Sequence, residues 1–148
     1  MVAVQFEDII GPCIITAVSS LQMASFARRV GKARQKYKVP PPETNGDEGF
    51  VRIFRAHQNS VEFYPVFLAS LWSSSLLFHQ VPPTVLGVVY MLARSKYFKG
   101  YSESADKRLP GFRVSVTALV GLNICSLLGT AHILFTKYTG NSLFSYFN

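Results

Sequence analysis

The sequence predicts an all-α integral membrane protein, a four-helix bundle in a single domain spanning residues 1–148. Three observations carry that expectation. Apolar residues make up 49% of the 148-residue chain, with a mean hydropathy of +0.22, and they are gathered in blocks rather than at even amphipathic spacing. Three blocks, residues 9–27, 61–81 and 114–136, match the roughly 20 apolar residues needed to cross a bilayer core. The basic residues collect between the blocks, on connections that alternate in charge.

The first block reads as a retained span. Met1 is not followed by a basic segment, and Glu7 and Asp8 stand where one belongs in a cleavable signal peptide. Pro40, Pro41 and Pro42, followed by a short acidic stretch (Glu43, Asp47, Glu48) with Gly46 and Gly49, then predict a polar hairpin before the second span. Pro82 and Pro83 predict a tight turn after it. A fourth span is expected over residues 83–101, although Arg94, Lys96 and Lys99 crowd its second half. Its neighbours on both sides and the short connections make it a crossing rather than an interfacial helix. Ser102 or Ser104 is the expected cap of the last helix, with Pro110 in its first turns. Cys13 and Cys125 lie inside apolar blocks and are expected to be buried as small hydrophobes, since no disulfide or metal spacing is present.

The net charge of +7 invites a nucleic-acid partner, but its placement argues against one. Eight of the fifteen Lys and Arg fall between the first two spans, and six more (Arg94 to Arg113) cluster around the third connection. The connection at residues 79–83 has none. Both basic segments therefore belong on one membrane face, which the positive-inside rule makes cytoplasmic. Arginines retained for ligand binding would weaken that vote.

A carboxylate, Glu62, heads the second span. Arg52, Arg55 and Asn59 fall within an arc of about 80° with it on a helical wheel. A charge at hydrocarbon depth is costly and calls for a partner, so the stripe points to a bilayer-edge pocket for a small zwitterionic, mostly anionic ligand. Tyr97 and Tyr101 share a second stripe with Arg94, and Arg108 follows just after the turn. Interfacial tyrosines have an ordinary explanation as belt residues, yet these lie on the same membrane face as the first stripe. Arg108 is the sharpest candidate. A permanently charged guanidinium near a helix start can stabilise a thiolate, and the competing reading, a phospholipid-headgroup contact, stays open on the residues alone.

The segment RIFRAHQNSVEFYPVFLASLW (residues 52–72) resembles the signature of the MAPEG family, membrane-associated proteins in eicosanoid and glutathione metabolism. VGKARQKYKV (residues 30–39) and YFKGYSESADKRLPGFR (residues 97–113) resemble the family's other landmarks in the same order, whereas the C-terminal GNSLFSYFN is weakly matched. The resemblance implies a homotrimer of four-helix subunits in the endoplasmic reticulum membrane or nuclear envelope, binding glutathione between neighbouring subunits. It implies that Arg34, Arg55, Asn59, Glu62, Tyr97 and Tyr101 hold glutathione and that Arg108 is catalytic, meeting the sulfur. No metal is implied. Two further glutathione-site positions depart from the common pattern: His57 replaces a glutamine and Phe63 a tyrosine. His57 lies about 140° round the helix from Arg52 and so can face a neighbouring subunit. Gln35 stands where a dedicated leukotriene-forming branch has a second arginine.

These departures are similar to the general transferase branch. The implied activity is conjugation of the glutathione thiolate to lipophilic electrophiles from the membrane lipids, including leukotriene A4, with reduction of lipid hydroperoxides. Residues 71–87 also resemble a non-catalytic, arachidonate-binding scaffold branch. That branch lacks the arginine matching Arg108, which this chain has.

Overall fold

The computed structural model describes residues 6–140, and they form four long helices. A 3-10 turn, Phe6–Ile9, leads into α1, Ile10–Tyr37. α2 spans Glu48–Leu77 and α3 Val81–Glu103. A second 3-10 turn, Asp106–Arg108, opens α4, Leu109–Thr139. Short connections make sequential helices antiparallel neighbours. α3 packs on α2 and α4, α2 also touches α4, and α1 lies against α2 and α3 without reaching α4.

The core runs along the bundle in layers. Ile15, Phe67, Leu71, Tyr90, Ala118, Leu119 and Leu122 form one cluster, Phe26, Ala56, Tyr97 and Phe98 the next, and Val30, Ala33, Val39 and Phe50 the last. Parallel-stacked rings lock the layers: Phe67 on Tyr90 at 4.0 Å and Phe26 on Phe98 at 4.2 Å between centroids. The interior also carries hydroxyls and amides, as expected where lipid offers no hydrophobic drive between helices. Trp72 Nε1 donates to Thr16 Oγ1, Gln22 Nε2 to the Met91 carbonyl and Ser95 Oγ, and Asn123 Nδ2 to Ser70 Oγ.

The outer surface is apolar instead. Leu21, Leu92 and Leu127 are each about two-thirds or more exposed, at 70%, 67% and 70%. α1 and α4, each with its preceding turn, carry a stretch long and apolar enough to cross a membrane. α2 and α3 fall below that mark. On α2 the serines Ser60, Ser73 and Ser74 turn back to carbonyls of their own helix, while Val61, Val66 and Leu76 face outward with Val85, Val88 and Leu92 of α3. The apolar belt thus passes over all four helices. Pro65 sits inside α2 and opens one rung of its hydrogen-bond ladder.

Several expectations need correction. The basic segment after residue 27 is not a loop: α1 continues to Tyr37, about 15 Å past the apolar block, and the hairpin shrinks to residues 38–47. Lys and Arg are good helix formers, so charge ends the membrane crossing without ending the helix. Pro82 and Pro83 are not a tight turn but lie in the first turn of α3, where missing N–H groups remove no helical bond. Neither serine caps α4. Ser104 closes α3, Ser102 donates to the Phe98 carbonyl, and α4 starts directly from the 3-10 turn, with Pro110 in its first turn as expected. Cys13 is exposed and Cys125 half-buried, because an apolar residue in such a bundle can as well face out. The N-terminal Met1 and the last eight residues of the weakly matched tail lie outside the described residues.

Candidate functional site

α2, α3 and the start of α4 meet around a cavity of about 400 Å³ at the end where α1 projects beyond its apolar block. α2 contributes Arg55, Gln58, Asn59 and Glu62 on one stripe; α3 contributes Tyr97 and Tyr101; the second 3-10 turn and α4 contribute Arg108, Leu109 and Phe112. The two stripes read from helical periodicity therefore face each other across one space.

Local structure explains the placement. Arg108 is the residue from which α4 starts, so its guanidinium accompanies the positive end of that helix. The guanidinium lies 5.1 Å from the Tyr101 ring centroid and donates to the Ala105 carbonyl. The turn beneath it is pinned by Lys107, whose ammonium donates to Glu103 at 3.0 Å and holds that carboxyl below its usual range. Two glycines allow the close approach. A side chain at Gly100 would collide with the Lys107 carbonyl, and one at Gly111 with the Tyr97 backbone nitrogen. α4 therefore lies directly against the backbone of α3 where Tyr97 enters the cavity.

Glu62 is exposed and makes one long contact, from Asn59 Nδ2 at 3.5 Å. The arginines expected to partner it do not. Arg52 pairs with Glu48 at 2.6 Å, one helical turn away, and does not line the cavity. Arg55 donates to Gln58 at 3.1 Å. Among the described residues, then, the cavity holds two guanidinium groups and one carboxylate with no ion pair between them. That arrangement suits a ligand bearing more than one anionic group and an ammonium.

Behind the lining stands Arg94, 2% exposed. Its Nη1 donates to Asn59 Oδ1 at 3.0 Å and its Nε to the Tyr90 hydroxyl at 3.2 Å, while Nη2 has no partner. Its guanidinium sits against the rings of Phe63, Tyr97 and Tyr90 at 4.4, 5.1 and 5.4 Å. The contact orients the Asn59 amide, aiming its NH₂ toward Glu62. Arg94 shares the Tyr97–Tyr101 stripe in the sequence, but hydropathy treats it as a solvated end-of-span charge, and its role behind the site was missed. Gln58, Leu109 and Phe112 were missed as lining residues; Gln58 borders the α2 arc.

Six of the nine expected site residues line the cavity: Arg55, Asn59, Glu62, Tyr97, Tyr101 and Arg108. Three do not. Phe63 lies behind the wall, edge-on to Phe112 at 5.8 Å. His57 is half-buried on another side of α2. Arg34 is on α1, over the Phe50 ring at 5.0 Å and donating to the Glu43 carbonyl at 2.7 Å. Together with Gln35 it lines a separate groove against Pro40 and Pro41.

Residues 13–128 match the model of the MAPEG family. The chain is 48% identical over 124 residues to microsomal glutathione S-transferase 2 of Homo sapiens, an alignment covering 84% of each chain. It is 46% identical to the Bos taurus protein of the same name, covering 84% of this chain and 85% of that one. Leukotriene C4 synthase of Bos taurus is 40% identical over 121 residues, 81% of each chain. The convergence of the α2 and α3 stripes on one cavity at the membrane edge agrees with these matches, and the chain belongs to the MAPEG family.

Proposed function

We propose that the protein is a membrane glutathione transferase that activates the glutathione thiol for attack on lipophilic electrophiles arriving from the bilayer. The observation that carries this reading is the unpaired charge set of the cavity, Arg55, Glu62 and Arg108, in one space with Tyr97, Tyr101 and Asn59. Glutathione bears two carboxylates, one ammonium and a thiol. Arg55 takes a carboxylate, Glu62 with Asn59 takes the ammonium, and the tyrosines donate hydroxyls. Arg108 then faces the sulfur. A cysteine thiol titrates near 8.5, and lowering it by about two units requires roughly 3 kcal/mol of preferential anion stabilisation. A guanidinium joined by a helix N-terminus in a partly desolvated cavity can supply that.

In this reading the functional unit is a homotrimer. Arg34 and His57, which one subunit leaves outside its own cavity, serve the glutathione of a neighbour, and Phe63 supports the wall as a half-buried ring. Acceptors include leukotriene A4, reactive lipid products and lipid hydroperoxides, which the same thiolate reduces. The membrane is that of the endoplasmic reticulum or nuclear envelope. The names of the relatives support the transferase and leukotriene C4 assignments. A non-catalytic arachidonate scaffold is disfavoured because it has no use for Arg108 and Glu62 in one cavity.

The test is the ultraviolet thiolate band of bound glutathione in the detergent-purified protein at neutral pH. Arg108→Ala is expected to abolish the band and lower turnover at least tenfold while glutathione still binds. A thiolate band that survives the substitution overturns the assignment.

A further inference from the structure

A second cavity, of about 260 Å³, lies on the other flank of α3. Phe98 and Ser102 line it, the residues directly following the Tyr97 and Tyr101 of the first cavity. Its rim is basic. Arg29, Lys32 and Lys36 recur on α1 at spacings that confine them to an arc of about 60°, all exposed, and no carboxylate lines the space. Among the described ion pairs none involves these three residues. Two of the cations rest on aromatic faces instead, Arg29 at 5.5 Å from the Phe98 centroid and Lys36 at 4.9 Å from Tyr37. The floor is apolar, made by Ala33 and Phe98, both buried, and half-buried Ile53.

The level in the membrane follows from the sequence. Arg29 comes two residues after the first apolar block ends, and Lys36 stands about 10 Å further along α1. That is the depth of lipid headgroups, with the apolar floor on the same face. The groove is also turned about 130° round α1 from Arg34, the residue assigned above to a neighbouring subunit.

We propose that this groove is a binding site for one anionic phospholipid, its phosphate held among Arg29, Lys32 and Lys36 and an acyl chain lying on Phe98 and Ile53. Charge complementarity selects the occupant. A zwitterionic lipid brings no net charge to a rim of three cations with no acid among them, whereas an anionic lipid brings a net negative charge. A cation gathering anionic headgroups at a membrane surface acts locally and electrostatically, whereas the apolar floor adds selection for an intact lipid over a free anion. The site stands apart from the thiol chemistry and does not depend on it.

Native mass spectrometry of the detergent-solubilised full chain tests it, with phosphatidylserine, phosphatidylcholine, arachidonate and inorganic phosphate as probes. Phosphatidylserine is expected to be retained at least tenfold more than phosphatidylcholine. The triple variant R29Q/K32Q/K36Q is expected to reduce it to the phosphatidylcholine level. An equal charge loss off the groove, R28Q/K96Q/K99Q, is expected to leave most of the retention. All six positions are exposed, so both variants are expected to keep the fold, with matching melting temperatures as the check. Equal retention of the two phospholipids overturns the proposal, as does equal loss in the two triple variants. Phosphate competing as strongly as the lipid overturns the acyl-chain floor, and arachidonate binding as tightly as phosphatidylserine overturns the choice of a phospholipid.

Discussion

Replacing Arg94 with Met isolates what the guanidinium behind the cavity does. Met keeps a long flexible stem for the aromatic box of Phe63, Tyr90 and Tyr97 and removes the charge. Two hydrogen bonds disappear, to Asn59 Oδ1 and the Tyr90 hydroxyl. Bonds from a charged donor contribute about 1.5–3 kcal/mol each. Against that loss, a guanidinium that is 2% exposed and meets no carboxylate among the described residues no longer has to be kept from water, and relief of that burial is worth several kcal/mol. The two effects oppose, so overall stability should move by less than about 2 kcal/mol. Affinity has no such compensation. Asn59 loses the contact that orients its amide, which amounts to about one charged hydrogen bond and hence roughly a 10- to 100-fold rise in the glutathione dissociation constant. Titration calorimetry on the detergent-purified protein measures it, alongside thermal melting. KM for glutathione should rise while the thiolate band at saturating glutathione persists, because Arg108 is untouched. Arg94→Lys should restore little, since a point charge cannot bridge Asn59 and Tyr90 with one planar fork. Unchanged glutathione affinity in a folded variant would refute the reasoning, as would loss of the thiolate band at saturation.

Glu62→Gln should weaken glutathione binding about tenfold with little change in melting temperature, because the carboxylate is exposed and makes only a long contact to Asn59; an assembly that falls apart with affinity intact would show a structural carboxylate instead. Gly111→Ala should destabilise the bundle by roughly 1–3 kcal/mol and reduce kcat, since the added carbon meets the Tyr97 backbone and pushes away the turn bearing Arg108. Melting and steady-state kinetics together check this, and an unshifted midpoint counts against the close packing. In the proposed homotrimer, Gln35→Arg should accelerate opening of the leukotriene A4 epoxide selectively over peroxide reduction, by introducing beside Arg34 a guanidinium that points into a neighbour's cavity and assists the departing oxygen. Equal acceleration of every acceptor, or of none, removes position 35 from acid assistance.

The four helices were legible because apolar block length and turn residues mark them independently. The cavity was legible because polar residues at helical spacing on α2 and α3 needed a common destination, and Arg55, Asn59, Glu62, Tyr97 and Tyr101 do share one. Arg52 has the same angular position and fails for a local reason: Glu48 lies one turn before it and captures it. The run of α1 to Tyr37 was hidden because hydropathy records where lipid ends, whereas the helix ends at Lys38 in a left-handed backbone conformation. The approach of Gly111 to Tyr97 leaves no periodic signal at all, being a match between two backbones distant in sequence. Arg34 and His57 could be placed on their helices but not relative to the cavity, because helical periodicity does not say which face meets a neighbouring helix.

Pro65 leaves one backbone rung of α2 open at the level of the site. Having no N–H, it leaves the carbonyl of Val61 without its helical donor, on a flank where both residues are exposed. Bare carbonyls are not tolerated against lipid tails, so that oxygen calls for a donor from outside its own helical ladder. Val61 immediately precedes Glu62. The open rung therefore lies at the level of the carboxylate, and the edge of the cavity is marked there by the chemistry of a single imino acid rather than by the length of the helix. Pro65→Ala would close that rung and leave Glu62 to meet its ligand beside a fully bonded backbone.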